Sequence, residues 1–153
     1  MQTSKTEKLY TLIQLLRPLV KHLTRAVEIE LAGTGLSVGQ RAVLEWIAIH
    51  QTRTAPQLAA HLDVKRQSIQ PVLDDMVVHG WIQRLANPNH KRSWRYGLTP
   101  EGQRRIHQVR AVEDANLDAM GDDFHLRDID AAIRVLETLT DKFSQFPQTK
   151  QKP

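Results

Sequence analysis

Apolar residues recur at helical spacing along most of this chain, and polar pairs mark where the helices begin. The first apolar run follows a 3.6-residue period and consists of Leu9, Leu12, Ile13, Leu16, Leu19, Val20, Leu23 and Val27. Ser4 and Glu7 precede it with the spacing of a capping box. We therefore expect a first helix that ends before Gly33 and is kinked at Pro18, because proline frees a backbone carbonyl.

Two more capping patterns, Ser37 to Gln40 and Thr54 to Gln57, predict where the second and third helices start. The third helix is short, at about residues 55–61. A fourth, over residues 66–79, is predicted to end at Gly80, since glycine adopts the left-handed conformation that closes many helices. Two helices joined by so short a turn, the second with a polar start, are typical of a helix-turn-helix.

The fourth helix has a polar beginning and an apolar remainder. Arginine can pair with guanine and glutamine with adenine, which are the contacts that major-groove recognition requires. The candidate DNA-binding residues in this region are Thr54, Lys65, Arg66, Gln67, Ser68 and Gln70. Pro71 conflicts with a helix interior, so we expect it near the first turn or at a local bend.

A turn with a basic tip separates two short segments, residues 81–85 and 93–98, that are predicted strands. Asn87-Pro88-Asn89 supplies turn-forming residues, and Thr99-Pro100-Glu101 has the order of a helix start. Strand, basic tip, strand and capped helix indicate a two-stranded β-wing, whose usual target is DNA. Its candidate contact residues are His90, Lys91, Arg92, Ser93 and Arg95.

Two further apolar patterns, from Ile106 to Met120 and from Ile129 to Phe143, predict two long helices after the wing. The sequence thus predicts a mainly α protein with a winged helix-turn-helix fold, about six helices and a two-stranded wing. With 153 residues, 41% of them hydrophobic, the chain amounts to one domain with enough apolar material for a core.

Composition and charge narrow the possible functions. The absence of cysteine excludes disulfides, thiolate zinc sites and thiol redox sensing. No apolar run approaches the ~20 residues that span a bilayer, and no signal-peptide pattern is present, so we expect a cytoplasmic protein. The net charge is +4, with cations predominating from Arg84 to Arg110 and acids from Glu113 to Asp141. The first region can face phosphates, which would repel the second.

The pattern from Leu58 to Gly102 resembles that of the MarR family of bacterial transcriptional regulators. The similarity extends from about Leu9 to Phe143. It is most specific at Leu58-Ala59-Ala60-His61-Leu62, Gly80-Trp81-Ile82, Arg92-Ser93 and Leu98-Thr99-Pro100-Glu101-Gly102. Family members commonly carry Asp-Arg-Arg in the wing, where this chain has His90-Lys91-Arg92. His90 cannot orient a wing arginine by ion pairing in the way that the usual aspartate does.

The resemblance implies a single domain over residues 1–153. Its DNA-binding lobe would lie at about 36–99, and its dimerisation helices at about 5–32 and 100–146. It further implies a homodimer that regulates transcription, in our interpretation as a repressor, by placing two recognition helices in successive major grooves of a pseudo-palindromic operator. A small ligand would bind between the dimerisation helices and the lobe. The candidate pocket residues, which could equally be ordinary core, are Leu16, Leu19, His22 and Trp46.

Three alternatives have weaker support from the residues. A winged-helix module that contacts only proteins would not need the basic wing. An enzyme is not expected, because the chain has no HExxH spacing, no glycine-rich phosphate loop and no serine elbow, and no motif indicates a cofactor. A metal-responsive regulator could use His107 and His125 near Glu113, Asp114 and Asp118. None of these residues has tight i,i+4 ligand spacing, so scattered surface histidines explain them better.

Overall fold

The structure, a computed structural model, describes residues 4–146, and these form six helices and three short strands. The elements in chain order are α1 (Lys5–Leu31), α2 (Val38–His50), β1 (Thr52–Thr54), α3 (Ala55–His61), α4 (Arg66–Val78), β2 (Ile82–Ala86), β3 (Trp94–Leu98), α5 (Pro100–Gly121) and α6 (Leu126–Ser144). The prediction of a mainly α, winged helix-turn-helix fold is confirmed.

The chain divides into two compact units, residues 1–112 and residues 113–153. The first unit holds α1 to α4, the sheet and the first half of α5. Its core is formed by apolar side chains of α2, α3 and α4 together with Ile82 of β2 and Ile106 of α5. The side chains with no exposed surface are those of Val43, Leu44, Ile47, Leu58, Leu73, Met76 and Ile106.

All three predicted capping boxes form. In each, the first residue accepts from the backbone of the fourth, whose side chain accepts in return from the first residue's N–H. Gly80 follows α4 with a φ of 70°, as predicted. Pro18 lies inside α1 and Pro71 inside α4. Pro71 is beyond the first turn of its helix, so α4 tolerates the missing hydrogen bond to the carbonyl of Gln67.

The wing forms as predicted, and a third strand joins it. The sheet order is β1-β3-β2, with both pairs antiparallel. Each predicted wing strand begins one residue later than expected. In the first of them, Trp81 is buried before β2 and donates its backbone N–H to Met76. The sequence did not predict β1, a three-residue polar segment whose partners lie more than 40 residues further along the chain.

The second unit contains the end of α5 and all of α6. No residue of α6 is buried, although the helix carries a regular apolar stripe. The large apolar side chains exposed on it are those of Leu126, Ile129, Ile133, Val135, Leu136 and Phe143. Among residues 4–146, no helix is both long enough and apolar enough to cross a membrane.

Candidate nucleic-acid interface

The beginning of α4 presents its polar residues to solvent. Ile69, Leu73 and Met76 are buried in the core, so the opposite side of the same helix is exposed. Lys65, at the N-cap, and the three residues of the first turn, Arg66, Gln67 and Ser68, are all exposed. This placement agrees with their predicted role in reading DNA.

The tight turn before α4 depends on Asp63, whose φ is 50°. Its backbone N–H donates to the carbonyl of Ala60, and that of Val64 donates to Ala59. These hydrogen bonds tie the turn to the end of α3. Aspartate is one of the few residues that adopt this left-handed conformation readily. The two helices are therefore joined without a glycine.

The tip of the wing is closed by side-chain hydrogen bonds rather than by an ion pair. Asn87 Nδ2 donates to Ser93 Oγ at 2.7 Å, and the N–H of Asn89 donates to Asn87 Oδ1 at 3.1 Å. The backbone of Ser93 also donates to His90. Ser93, a predicted DNA contact, thus has its hydroxyl engaged within the loop. Lys91 and Arg92 remain exposed beyond this closure.

The base of the wing is joined closely to α5. The Thr99 hydroxyl lies 2.5 Å from the carbonyl oxygen of Gly80 and accepts from the N–H of Gly102 at 3.1 Å. A Cβ on Gly102 would lie 2.0 Å from the carbonyl oxygen of Trp81. Only glycine therefore allows α5 to start so near the root of β2.

A cleft of about 280 Å³ separates α4 from the wing. Arg66 and Gln70 of the helix and Arg92 and Ser93 of the wing line it, so the structure brings together four predicted contact residues. Trp94 also lines the cleft and is 53% exposed. Trp94 was not singled out from the sequence, although its position directly after the basic loop is visible there.

Other predicted contacts have structural partners. Gln70 is half-buried, and its Nε2 donates to Asp74 Oδ1 at 3.0 Å and to the Tyr96 hydroxyl at 3.2 Å. Thr54 Oγ1 accepts from the N–H of Gln57. Arg95 is half-buried and lies opposite Thr54 across the β1–β3 ladder. The i,i+4 spacing of Gln70 and Asp74 is the signal in the sequence that could have indicated the hydrogen bond between these two residues.

Comparison with known proteins identifies the family. The sequence model of the MarR family matches residues 34–93. The crystal structure of a MarR family transcription regulator shares 41% sequence identity with this chain, covers 92% of it and 93% of its own length, and superposes with a TM-score of 0.80. The chain belongs to the MarR family. MarR family transcription regulators are not enzymes, so membership of the family supports the prediction that this chain is not an enzyme.

Two further proteins resemble this chain at lower sequence identity or over a smaller part of its length. A mutant of Escherichia coli MarR, whose structure is a complex with operator DNA, shares the fold with a TM-score of 0.70 at 22% identity. It covers 90% of this chain and 99% of its own. The uncharacterized protein Rv2011c of Mycobacterium tuberculosis is 32% identical over 57% of this chain, which spans 60% of that relative's length.

The pocket residues predicted for this MarR-family chain stay a prediction. Leu19 and His22 are exposed on α1. Trp46 is half-buried in α2, where its ring stacks on that of His61 with centroids 3.4 Å apart and meets the edge of His50 at 3.8 Å. Burial, together with Arg53 and His61, lowers the pKa of His50.

A cavity of about 370 Å³ in the same unit has a different lining. Its walls come from the end of α1, the loop after it and α5, and the lining residues include Glu30, Thr34, Leu36, Glu101, Arg105, Val109 and Val112. Arg105 donates to the carbonyl of Thr34 at 2.9 Å and to Glu101, and its guanidinium lies 4.6 Å from the centre of the Trp81 ring. Arg105 thus connects the cavity to the root of the wing.

Proposed function

We propose that this protein is a cytoplasmic, homodimeric repressor that binds a pseudo-palindromic operator in double-stranded DNA. The observation that carries the proposal is the pair of exposed basic segments, at the start of α4 and at the tip of the wing. Within residues 4–146, Lys65, Arg66, Lys91 and Arg92 have no ion-pair partner, whereas Arg84, Arg104, Arg105 and Arg110 are each paired with a carboxylate.

Unpaired cations on two elements that border one cleft suit a polyanion. Phosphates would supply the missing counter-charge and release the condensed counterions of the DNA. The E. coli protein of the same fold is in complex with operator DNA, which supports DNA binding by this chain. In the complex that we propose, α4 enters the major groove and the wing reaches the flanking minor groove.

A dimer is supported by the apolar faces of α1 and α6. Large apolar side chains are exposed on α1, at Leu15, Leu19, Val20, Leu23 and Ile29, as well as on α6. Exposed apolar surface of this extent is typical of a protein interface. A two-fold dimer presents two copies of α4, and these would bind two half-sites about one helical turn apart.

Footprinting on DNA selected by the protein from random or upstream fragments tests this proposal. We expect two protected half-sites whose centres are ~10 base pairs apart, and an affinity that falls steeply with salt. Arg66→Ala should weaken this binding, whereas Lys21→Ala, which removes an exposed cation of α1, should leave it unchanged. Absence of DNA binding would favour the protein-contact alternative, and protection of one isolated half-site would contradict the dimeric arrangement.

We further propose that a small aromatic or amphipathic ligand binds the cavity beside Arg105 and weakens DNA binding. The support is the contact of Arg105 with both the cavity and Trp81. Thermal-shift and DNA-binding assays with a library of small aromatic compounds, aromatic acids included, test it. Val112→Trp should abolish the response, because Val112 lines the cavity and the larger side chain would fill it. Since Val112 is half exposed, the fold should accommodate the substitution. A response that persists in this variant would place the effector elsewhere.

A further inference from the structure

Four polar side chains that line the cleft between α4 and the wing connect these two elements. Asp74 Oδ1 accepts from Arg84 Nη2 at 2.5 Å and from Gln70 Nε2 at 3.0 Å. Gln70 Nε2 also lies 3.2 Å from the hydroxyl of Tyr96. We define these four residues, Gln70, Asp74, Arg84 and Tyr96, as the cleft network.

The network attaches α4 to both strands of the wing at one level. Arg84 of β2 and Tyr96 of β3 are direct partners in the β2–β3 register, so their side chains leave the same face of the hairpin. Tyr96 is only 2% exposed. Asp74 therefore connects the helix directly to Arg84 of β2, and to the well-buried Tyr96 of β3 through Gln70.

The position of Asp74 is unusual on electrostatic grounds. It lines the same cleft as Arg66 and Arg92, and an acidic group at a DNA-binding surface repels phosphates. Its negative charge would by itself lower affinity. A carboxylate at this place is explained if the geometry that it maintains contributes more to binding than its charge removes.

We propose that Asp74 is a positioning residue that sets the distance between the recognition helix and the wing, and thereby the simultaneous contact of Arg66 and Arg92 with DNA. The inference rests on the proposed function, since it concerns how the same interface is held. Gln70 then acts through Asp74 and Tyr96 rather than as a reader of bases.

Whether Asp74→Asn raises or lowers operator affinity distinguishes a purely electrostatic role of Asp74 from a positioning role. Electrostatics alone predicts tighter operator binding, because the variant removes a negative charge and frees Arg84. Positioning predicts roughly tenfold weaker binding to the operator, with unchanged or tighter binding to non-specific DNA. Asp75→Asn is the matched control: it removes the same charge one residue away, where the partners are Gln40 and His79.

A double-mutant cycle that combines Asp74→Asn with Arg92→Ala adds a second test. If Asp74 only stabilised the fold, the loss of operator affinity caused by Arg92→Ala would be the same with and without Asp74→Asn. In the wild type, Arg92→Ala should reduce operator affinity by roughly tenfold. In the Asp74→Asn background the same change should cost less than about threefold, because a displaced wing no longer places Arg92 on the DNA. Thermal unfolding of each variant verifies that the fold is retained. Tyr96→Phe, which changes no charge, should weaken operator binding in the same direction.

The outcomes are distinguishable from failure of the proposed function. If the wild type binds no operator, the proposed function fails. If the wild type binds and Asp74→Asn binds equally or more tightly, or if Arg92→Ala costs the same factor in both backgrounds, the positioning role of Asp74 is wrong and DNA binding stands. If Asp74→Asn does not fold, Tyr96→Phe decides: undiminished operator affinity in that variant overturns the proposal.

Discussion

Single residues determine how closely the elements of this protein approach each other, and Gly102 is the sharpest case. A Cβ at this position would overlap the carbonyl of Trp81, and backbone atoms cannot move aside as a flexible side chain can. Gly102→Ala should therefore lower the free energy of unfolding by about 1–3 kcal/mol, measured by urea titration.

Gly121→Ala is the control for this prediction, because it lies at the end of the same helix with nothing within 4 Å of the added carbon. Alanine there should leave the free energy of unfolding unchanged or raise it by up to about 1 kcal/mol, as expected from helix propensity. Equal stability of Gly102→Ala and the wild type would mean that α5 and Trp81 are less closely packed than described.

His50, which meets the ring of Trp46, is expected to make stability depend on pH. The pKa of His50 is lowered, first by burial and then by Arg53 and His61. The unfolded chain consequently binds a proton more readily than the folded chain, so this contribution is present above pH ~6.5 and is lost as the pH falls below it. Melting temperatures measured between pH ~5 and ~8 should decline at the acidic end.

His50→Gln should flatten this decline, whereas His22→Gln, which changes an exposed histidine of α1, should not. A melting temperature with the same acid dependence in His50→Gln as in the wild type would show that other groups are responsible.

Among the secondary-structure elements, α4 and the wing are expected to contribute to DNA binding in different ways. Arg92→Ala should weaken operator binding by about 1–3 kcal/mol, with the greatest loss on A·T-rich flanks, because a narrow minor groove attracts arginine. Lys91→Ala should cost a similar amount on every sequence and reduce the salt dependence. Titrations on A·T-rich and G·C-rich operators measure the difference. An equal loss for Arg92→Ala on both would exclude minor-groove reading by Arg92.

The elements that sequence predicted well are those with local signals. Capping pairs such as Ser37 and Gln40 act within one turn, and Gly80 needs only its own φ, so the ends of the helices could be read directly. Strand β1 could not be predicted, because it is held only by its pairing with β3. It also follows Gln51, a non-glycine residue with a φ of 69° that no local pattern indicates.

The interface shows the same division between local and distant information. Exposure of Arg66 and Lys91 follows from helix periodicity and turn chemistry, and both were predicted. The hydrogen bond between Gln70 and Tyr96 was not, because the two residues are 26 positions apart in the chain. Sequence thus indicated which side chains are polar and where they lie, but only the packed lobe shows which ones are already hydrogen-bonded.

At the scale of the whole molecule, the exposed apolar side chains predict a dimer. We expect sedimentation of the wild type at micromolar concentration to give twice the chain mass. Ile133→Asp should shift it towards the monomer, because Ile133 lies on the exposed apolar face of α6 and is 47% exposed. Val78→Asp introduces the same charge at an exposed residue at the end of α4 and should remain dimeric. A well-folded wild-type monomer would contradict the dimer.

In the proposed complex, the hydrogen bonds of Gln70 to Asp74 and Tyr96 would limit how much of the operator sequence one subunit can read. Base contacts from α4 would then be made only by Lys65 through Ser68. This segment is about one turn of helix, with a length of ~5 Å. It therefore spans little more than one base-pair step of the DNA, which is ~3.4 Å long. So short a half-site recurs by chance throughout a genome, and each mismatch costs only about 1–3 kcal/mol of binding free energy. Selectivity would therefore depend on the spacing of the two half-sites, which decides whether they lie on the same side of the double helix. Inserting half a helical turn of DNA between the half-sites changes the sequence of neither. It should nevertheless abolish operator binding as completely as deleting one half-site.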